Sequence, residues 1–204
     1  MERLGRATGA AMLALCLVGF TSQQAPIAQE SRYLAGQFLV ATPEMGDPRF
    51  AETVIYMISH DREGAMGLVM NRPIAQGPIS DLLKAFGAEA QGASGTVILH
   101  YGGPVESQRL FILHSNDYAG KGTTIVGGGL AVTAEAEILS AIASGKGPKK
   151  SLLAFGYAGW APGQLEAEIG ADAWFTIPAE ESLIFDSEAE SKWDRALAKR
   201  KIKA

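Results

Sequence analysis

The sequence has few of the residues that carry covalent or metal-dependent chemistry. It contains one cysteine and three histidines among 204 residues. Because Cys16 lies in the apolar N-terminal segment, the rest of the chain has no disulfide, no thiolate nucleophile and no cysteine metal site. The G-x-S-x-G elbow of serine hydrolases, the P-loop and the dinucleotide fingerprint are missing as well. The sequence therefore predicts no cofactor and contains no catalytic motif.

The chain also lacks an excess of basic residues. Lysine and arginine number 18 against 22 aspartate and glutamate, which gives a net charge of -4 and a pI of about 5.4. A protein that binds nucleic acid normally presents a basic face to the phosphates. We therefore do not expect a nucleic-acid partner, whereas a protein partner or a small anionic ligand stays open.

The N-terminal segment differs from the rest of the chain. Arg3 and Arg6 precede an apolar run at residues 10–20, which has the length of a signal-peptide core and is too short to span a bilayer comfortably. We expect residues 1–28 to direct export to the periplasm, although a good Ala-x-Ala cleavage site is absent. The alternative is a cytoplasmic protein with a misassigned start codon or a disordered extension. Residues 33–204 are predicted to form a single domain without a transmembrane segment.

The predicted domain is organised around residues 54–73. Two apolar runs, at 54–58 and 66–70, flank a charged turn that ends in Gly64. Apolar runs rich in β-branched and aromatic residues are typical of buried strands, and a polar segment ending in glycine is typical of a turn. This stretch therefore predicts a β-hairpin.

Polar side chains at the hairpin and at later strand ends are candidates for chemistry. His60 with Asp61 or Glu63 has the residue types for general acid–base work, although the same side chains would also solvate a turn. His60, His100 and His114 each end an apolar run, and three imidazoles at adjacent strand ends can bind a divalent cation. Their spacing matches no local ligand motif, so we predict no metal site.

Arg72 lies between the second run of the hairpin and Pro73, which holds the preceding residue in an extended conformation. We expect its guanidinium to pair with a carboxylate, for which Asp47, Asp61 and Glu63 are the candidates. The alternative is that Arg72 binds an anionic ligand.

Gly102 and Gly103 follow a predicted strand and can present backbone N–H groups to an anion. A tight turn is the alternative role for them. The full set of candidate binding residues is His60, Asp61, Glu63, Asn71, Arg72, Gly102, Gly103 and His114.

Further elements follow from local patterns. Ser80 and Thr133 are predicted to cap helices, the runs at 96–100 and 109–114 are predicted to pair as a hairpin, and Trp160 is expected to pack over the sheet. Other strands are predicted at 36–41, 123–126, 151–157 and 174–177, and other helices at 164–169 and from Glu188 to the end.

Ordered motifs lie at residues 36–41, 45–50, 64–73, 102–105, 113–114, 156–160, 162–165 and 174. Together they resemble the YqgE/AlgH family, also called UPF0301, over residues 33–197. The resemblance carries over His60, Gly64, Asn71, Arg72, Gly102, Gly103, Pro104, His114 and Trp160 as family signatures.

The resemblance implies a bacterial α+β domain, in which a bent, bifurcated mixed β-sheet closes into a pseudo-barrel with helices packed outside. It implies no established enzymatic activity, and a direct or indirect link to the regulation of alginate production. Family members usually begin near the strand at residue 36 and look cytoplasmic, so the N-terminal extension departs from the pattern.

Two classes of function follow from the sequence. The first is a non-enzymatic regulatory or binding protein, which we favour because the sequence contains no recognisable nucleophile, metal motif or cofactor cradle. The second is an enzyme or a small-ligand-binding domain that uses the turn at residues 60–72. A single concave pocket lined by these side chains and His114 would favour the second class.

Overall fold

The computed structural model describes residues 33–202 of the chain. Its strands are β1 (Gln37–Ala41), β2 (Val54–Asp61), β3 (Gly64–Val69), β4 (Pro73–Pro78), β5 (Thr96–Tyr101), β6 (Val105–Ser115), β7 (Thr123–Ile125), β8 (Leu130–Thr133), β9 (Ser151–Trp160) and β10 (Trp174–Pro178). Its helices are α1 (Ile79–Ala85), α2 (Glu137–Ala143), α3 (Gln164–Gly170), α4 (Glu181–Phe185) and α5 (Lys192–Ile202), with a 3-10 turn at Ala189–Ser191.

The strands form a branched, mixed sheet. Its main path runs β10-β1-β2-β3-β9-β6-β8-β7, and β4 and β5 form a side branch. The branch point is β9, which pairs antiparallel with β3 and β6 and parallel with β5. The predicted α+β class with a bifurcated sheet is confirmed.

The sheet curls until its two arms touch. The hydroxyl of Tyr56 on β2 donates to the carbonyl of Gly127 in the turn between β7 and β8, at 3.1 Å. At the same place Gly36 has φ +80, and a Cβ there would lie 3.5 Å from the Cα of Gly127. This contact closes the curl on one side and gives the predicted pseudo-barrel.

The core consists of three clusters, one inside the curl and two outside. The inner cluster joins β1 and β2 to β6, β8 and β9, and includes Phe38, Tyr56, Leu113 and Leu152. Because it draws on both arms of the sheet, it must fill the interior of the curl. Helix α3 packs on the outer face of β1–β3, and α1 and α2 pack on the outer face of β5, β6 and β9. Helices α4 and α5 differ, since they pack against the inner cluster.

Several local predictions are confirmed and others are wrong. The hairpin of β2 and β3 forms as predicted, and Trp160 is 7% exposed in the cluster beneath α3. The strand at 96–101 does not pair with β6, because β4 and β9 occupy its two edges. Neither Ser80 nor Thr133 caps a helix: Ser80 lies inside α1, and Thr133 belongs to β8. Within residues 33–202, none of the helices is long and apolar enough to cross a membrane.

Candidate functional site

The structure separates the candidate residues of the hairpin into two places. His60, Asp61 and Glu63 lie at the turn between β2 and β3. Asn71 and Arg72 follow the far end of β3, so the length of that strand lies between the two groups. The predicted polar turn is therefore not one site.

His60 is used inside the fold. Its ring is buried, its Nδ1 accepts a hydrogen bond from the backbone N–H of Leu34 at 3.3 Å, and its Nε2 lies 3.3 Å from a carboxylate oxygen of Glu166. An acceptor Nδ1 means that the proton resides on Nε2 in this arrangement. The imidazole thus ties the start of the described chain to helix α3.

The two carboxylates of the turn lie on the surface. Asp61 accepts a hydrogen bond from the backbone N–H of Glu63 at 2.7 Å, which is a common way for aspartate to stabilise a tight turn. Both side chains line a shallow depression whose apolar wall is formed by Tyr157 and Trp160. The polar residues at this tip therefore have the geometry of a solvated turn.

His114 is fully buried far from the hairpin tip. Its Nδ1 faces the carbonyl of Ser115 at 2.9 Å and its Nε2 faces the hydroxyl of Thr133 at 2.9 Å. Because a carbonyl only accepts, Nδ1 carries the proton and the Thr133 hydroxyl donates to Nε2. The Thr133 side chain thus serves this ring from the end of β8, and helix α2 begins only at Glu137.

Gly102 and Gly103 lie at the branch point of the sheet. The N–H of Gly102 donates to the carbonyl of Phe155 on β9 at 2.7 Å, and its carbonyl accepts from Val69 on β3 at 2.9 Å. A Cβ on Gly102 would lie 2.3 Å from the carbonyl oxygen of Gly156. A close approach of three chain segments therefore requires glycine here, and the Gly102 N–H is not free for an anion.

The histidines do not converge. Each of the three rings hydrogen-bonds to its own local partners, and His100 donates from Nδ1 to the carbonyl of Leu153 at 3.2 Å. In the part of the chain that the structure describes, no group of three or more His, Cys, Asp or Glu side chains is placed to hold a metal ion.

Within the described part of the chain Arg72 pairs with backbone carbonyls and with no carboxylate, so that prediction is wrong. Its Nη1 donates to the carbonyl of Arg49 at 2.6 Å and its Nη2 donates to the carbonyl of Ala51 at 2.8 Å. Asp47 pairs instead with Arg49, at 2.6 Å. The loop before β2 presents backbone carbonyls to the guanidinium, and a planar guanidinium satisfies two of them at once.

Asn71 holds the same loop. Its Nδ2 donates to the carbonyl of Glu52 at 2.8 Å, and its Oδ1 accepts from the N–H of Val54 at 2.9 Å. Glu52 has φ +54, a left-handed backbone conformation that residues other than glycine rarely adopt. Asn71 and Arg72 together fix this strained loop against the end of β3.

A cleft opens beside these two residues. One wall is the segment 71–76, which includes most of β4, and the other wall is the segment 184–194. Two adjoining cavities of about 520 and 300 Å³ lie between these walls. Consecutive residues, Arg72 with Pro73 and Ala189 with Glu190, line one cavity and then the other, so the two cavities follow each other along the same two segments.

The larger cavity is mainly apolar. Ile74 on β4 and Ile98 on β5 are 58% and 38% exposed and face it. Its floor includes Leu152 and the ring of His100, which is 9% exposed. Burial lowers the pKa of His100 below its ordinary value of 6.5, so the ring is neutral at pH 7. Since Nδ1 donates to Leu153, Nε2 is the unprotonated acceptor of the ring.

The smaller cavity is acidic. It is lined by the exposed residues Glu52, Glu190 and Asp194, with Arg72 and Trp193 between them. Among the described residues, none of these three carboxylates has an ion-pair partner within 4 Å. The Arg72 guanidinium donates to backbone carbonyls and keeps its positive charge, so it offsets one of the three carboxylates and the cavity lining stays net negative.

Lys192 fixes the wall opposite β4. Its side chain is 1% exposed, and its ammonium donates to the carbonyls of Leu183, Ile184 and Asp186 at 2.6, 2.9 and 3.2 Å. It also pairs with the Asp186 carboxylate at 2.9 Å, and Arg195 pairs with the same carboxylate at 2.6 Å. Burial lowers the pKa of Lys192, and the ion pair with Asp186 opposes that shift.

Sequence reasoning found Asn71 and Arg72 but missed the cleft. The segment Pro73–Pro78 contains two prolines and a glycine, which argue against a strand. The opposite wall comes from the other end of the chain, and local patterns do not show that the two segments meet. The sequence gives no sign that Ile74 and Ile98 are exposed on one surface, because that follows from the pairing of β4 with β5.

The curled, branched sheet, with α1, α2 and α3 on its outer faces and α4 and α5 against its inner cluster, defines a half-barrel α+β domain. Comparisons with known proteins identify its family. The AlgH-like family model matches residues 38–204. The chain belongs to the AlgH-like (UPF0301) family, as the sequence motifs predicted.

Two curated relatives illustrate the similarity. A UPF0301 protein of Rhodospirillum rubrum is 43% identical over 167 residues, covering 82% of this chain and 87% of that protein. A UPF0301 protein of Caulobacter vibrioides is 46% identical over 179 residues, covering 86% of this chain and 91% of that protein. Both matches therefore extend over nearly the whole relative.

Two solved structures share the fold. The solution structure of the AlgH protein from Pseudomonas aeruginosa matches with a TM-score of 0.70 at 40% identity, covering 86% of this chain and 90% of that one. A crystal structure of a Corynebacterium diphtheriae protein matches with a TM-score of 0.65 at 22% identity, covering 81% and 86%. At that identity the second match shows the fold alone.

Proposed function

We propose that this chain is a non-enzymatic binding protein and that it holds a protein partner in the cleft between residues 71–76 and 184–194. The observation that supports this is the composition of the cleft, which combines exposed isoleucines with carboxylates that have no ion-pair partner among the described residues. Exposed apolar groups beside polar ones are typical of interaction sites. His60 and His114 both direct their two ring nitrogens to groups of the fold.

A regulatory role would act through this partner. The family resemblance links such proteins to the regulation of alginate production, and a protein that binds without chemistry alters the activity or the availability of what it binds. Direct contact with nucleic acid is disfavoured, since the carboxylates Glu52, Glu190 and Asp194 would repel phosphates.

Site-specific photo-crosslinking in the native host tests this proposal. A benzophenone side chain replaces Ile98 in the cleft, or Ile125, an equally apolar residue on β7 that is 67% exposed and lies outside the cleft. We expect a specific adduct from position 98 and none from 125. The captured protein, identified and purified, should then lose about tenfold or more in affinity for the Ile98→Glu variant.

Other outcomes of this experiment would contradict the proposal. A third probe at Asp61 samples the hairpin tip, where the alternative enzyme or small-ligand site would lie. Adducts from position 61 alone would shift the function to the hairpin. The absence of adducts at both 61 and 98 would overturn a protein-binding role.

We also propose that residues 1–28, which lie outside the described residues, direct export. Arg3, Arg6 and the apolar run at 10–20 motivate this. Fractionation of cells that express the full chain with a C-terminal tag should place a shortened protein in the periplasm. Full-length protein confined to the cytoplasm would contradict the proposal.

A further inference from the structure

We propose that the partner contributes one surface segment to the cleft, in which a large apolar side chain enters the larger cavity and a neighbouring lysine or arginine enters the smaller one. This inference rests on the proposed function, since it specifies the chemistry of the partner that the same cleft holds. It is carried by the gap where the sheet divides, by a bulge that exposes Ile74, and by the net negative lining of the smaller cavity.

The larger cavity lies where the sheet divides. Strands β5 and β9 run parallel and are paired only at residues 99–101 and 153–155. The residues before these pairs, 96–98 on β5 and 151–152 on β9, line the cavity. The cavity therefore occupies the gap between two strands that are paired at one end and unpaired at the other.

One face of β5 is exposed to this cavity. On the other face, Val97 and Leu99 pack in the cluster beneath α1 and α2. Successive side chains of a strand point to opposite faces, so Ile98 and His100 point away from these helices and line the cavity. Ile98 is 38% exposed there. An apolar side chain from another molecule would remove this surface from water, which favours association.

A bulge in β4 adds a second exposed isoleucine. Pro73 and Ala75 pair with two consecutive residues of β5, and Ile74 between them is the extra residue. Bulges of this kind redirect a side chain and are frequent beside functional sites. Ile74 is 58% exposed and lines the larger cavity together with Ile98. Two neighbouring strands thus each present an isoleucine to the same space.

The two cavities differ in charge. In the larger one, the Asp186 carboxylate pairs with both Lys192 and Arg195. In the smaller one, three carboxylates outnumber the single guanidinium of Arg72, and within the described chain none of the three has an ion-pair partner. Electrostatic complementarity therefore favours a cation of the partner in the smaller cavity and an uncharged group in the larger one.

One short segment can supply both groups. The two cavities are lined in turn by consecutive residues, Arg72 with Pro73 and Ala189 with Glu190, so a cation in one lies beside an apolar group in the other. A segment with an acidic residue at the place of the cation would be repelled. The smaller cavity would thus distinguish among partners that the larger one accepts equally.

Selection from a random peptide library tests the inference on the full-length protein. Dodecapeptides displayed on phage are selected on the wild type and, in parallel, on the variant that combines Ile74→Glu with Ile98→Glu. We expect the wild type, and not the variant, to enrich peptides in which a large apolar residue lies close to a lysine or arginine. Enriched peptides without a basic residue, or enrichment of the same peptides by the variant, would overturn the inference.

Fluorescence anisotropy with the most enriched peptide locates the apolar contact. Ile74→Glu and Ile98→Glu should each weaken its binding about tenfold, because each removes apolar contact and places a charge in the larger cavity. Ile125→Glu is the matched control and should leave binding unchanged. Thermal melting of each variant checks that the fold is retained, and Ile74, the more exposed residue, is the safer test. Unchanged binding by a folded Ile74→Glu variant would contradict the inference.

A double-mutant cycle between peptide and protein isolates the charge. Replacing the basic residue of the peptide by glutamine should weaken binding to the wild type about fivefold. The same replacement should cost less than about twofold when the protein carries Glu190→Gln with Asp194→Asn, because the attracting carboxylates are then absent. The control protein carries Glu44→Gln with Glu89→Gln, an equal change of net charge at exposed residues outside the cleft, and should keep the full loss. Equal losses in all three proteins would place the cation elsewhere and overturn the inference.

Failure of this inference can be distinguished from failure of the proposed function. If no peptide is enriched, or if the basic residue has no effect, while the benzophenone at position 98 still crosslinks a partner, the proposed chemistry is wrong and the cleft still holds a protein. If position 98 gives no adduct and no peptide is enriched, both proposals are wrong.

Discussion

The most specific prediction for the fold concerns Glu168 in helix α3, whose carboxylate accepts hydrogen bonds from three side chains. The indole N–H groups of Trp160 and Trp174 both donate to its Oε2, at 2.9 and 2.8 Å, and Gln164 donates to its Oε1 at 2.8 Å. The two indole rings are 7% and 2% exposed and meet edge to face, 6.0 Å between centroids. Glu168→Ala would therefore leave two largely buried N–H donors without an acceptor.

The magnitude follows from these contacts. A buried donor left without its partner costs about 1–3 kcal/mol. Two such donors, partly reached by water after the truncation, give an expected loss of about 3 kcal/mol in the free energy of unfolding. Glu168→Gln should cost about 1 kcal/mol, because its amide oxygen still accepts while the charge is lost. Urea unfolding followed by circular dichroism measures both, without relying on the fluorescence of the affected tryptophans.

A double-mutant cycle tests the reasoning directly. Trp174→Phe removes one of the two donors, so its cost should be smaller by about 1–2 kcal/mol in the Glu168→Ala background than in the wild type. Glu137→Ala, at an exposed glutamate of α2, is the control and should change stability by less than about 0.5 kcal/mol. A coupling energy near zero between positions 168 and 174 would refute the hydrogen-bonding account.

Three further predictions concern stability. Burial raises the pKa of Tyr56 to about 12, so its contribution to stability should be complete below pH 10 and should fall by roughly 2–3 kcal/mol as the pH rises through 12. Urea titrations over that range should show no such loss for Tyr56→Phe. Arg72→Lys should lower the free energy of unfolding by about 1–2 kcal/mol, because an ammonium does not reproduce both bonds to the Arg49 and Ala51 carbonyls, and faster amide exchange at residues 49–53 would localise the effect. Lys192→Met should cost about 3 kcal/mol in the same titration by leaving Asp186 and nearby carbonyls without their buried donor, and an unchanged stability would contradict that role.

The sequence predicted the parts of the fold that local patterns determine. The β2–β3 hairpin is local, because its two apolar runs are adjacent in the sequence. Gly64, in the turn between them, has φ +137, and a Cβ there would lie 2.4 Å from the carbonyl oxygen of Trp160. Strand β4 was missed because its prolines and glycine argue against a strand in isolation. It forms nonetheless because β5 supplies the neighbouring ladder.

The candidate site was harder to predict than the fold, for a physical reason. A polar residue at a strand end has the same sequence signature whether its side chain meets a ligand or a backbone carbonyl. Arg72 and Asn71 illustrate this, since both bind the loop before β2. The cleft beside them is formed by segments from distant parts of the sequence, and these segments meet only in the folded domain.

Glu52 connects the stability of that loop with the charge of the cleft, and the two contributions can be separated. Its left-handed conformation, at φ +54, is strained for glutamate and unstrained for glycine. Glu52→Gly should therefore relieve strain, so that the loop is no less stable, while it removes one carboxylate from the smaller cavity. Glu52→Gln removes the same charge and keeps the strain. If Glu52 contributes to binding of the proposed partner through its charge, both variants should weaken that binding equally. If only the conformation of the loop matters, neither variant should weaken binding, because Asn71 and Arg72 bind backbone groups that both variants keep.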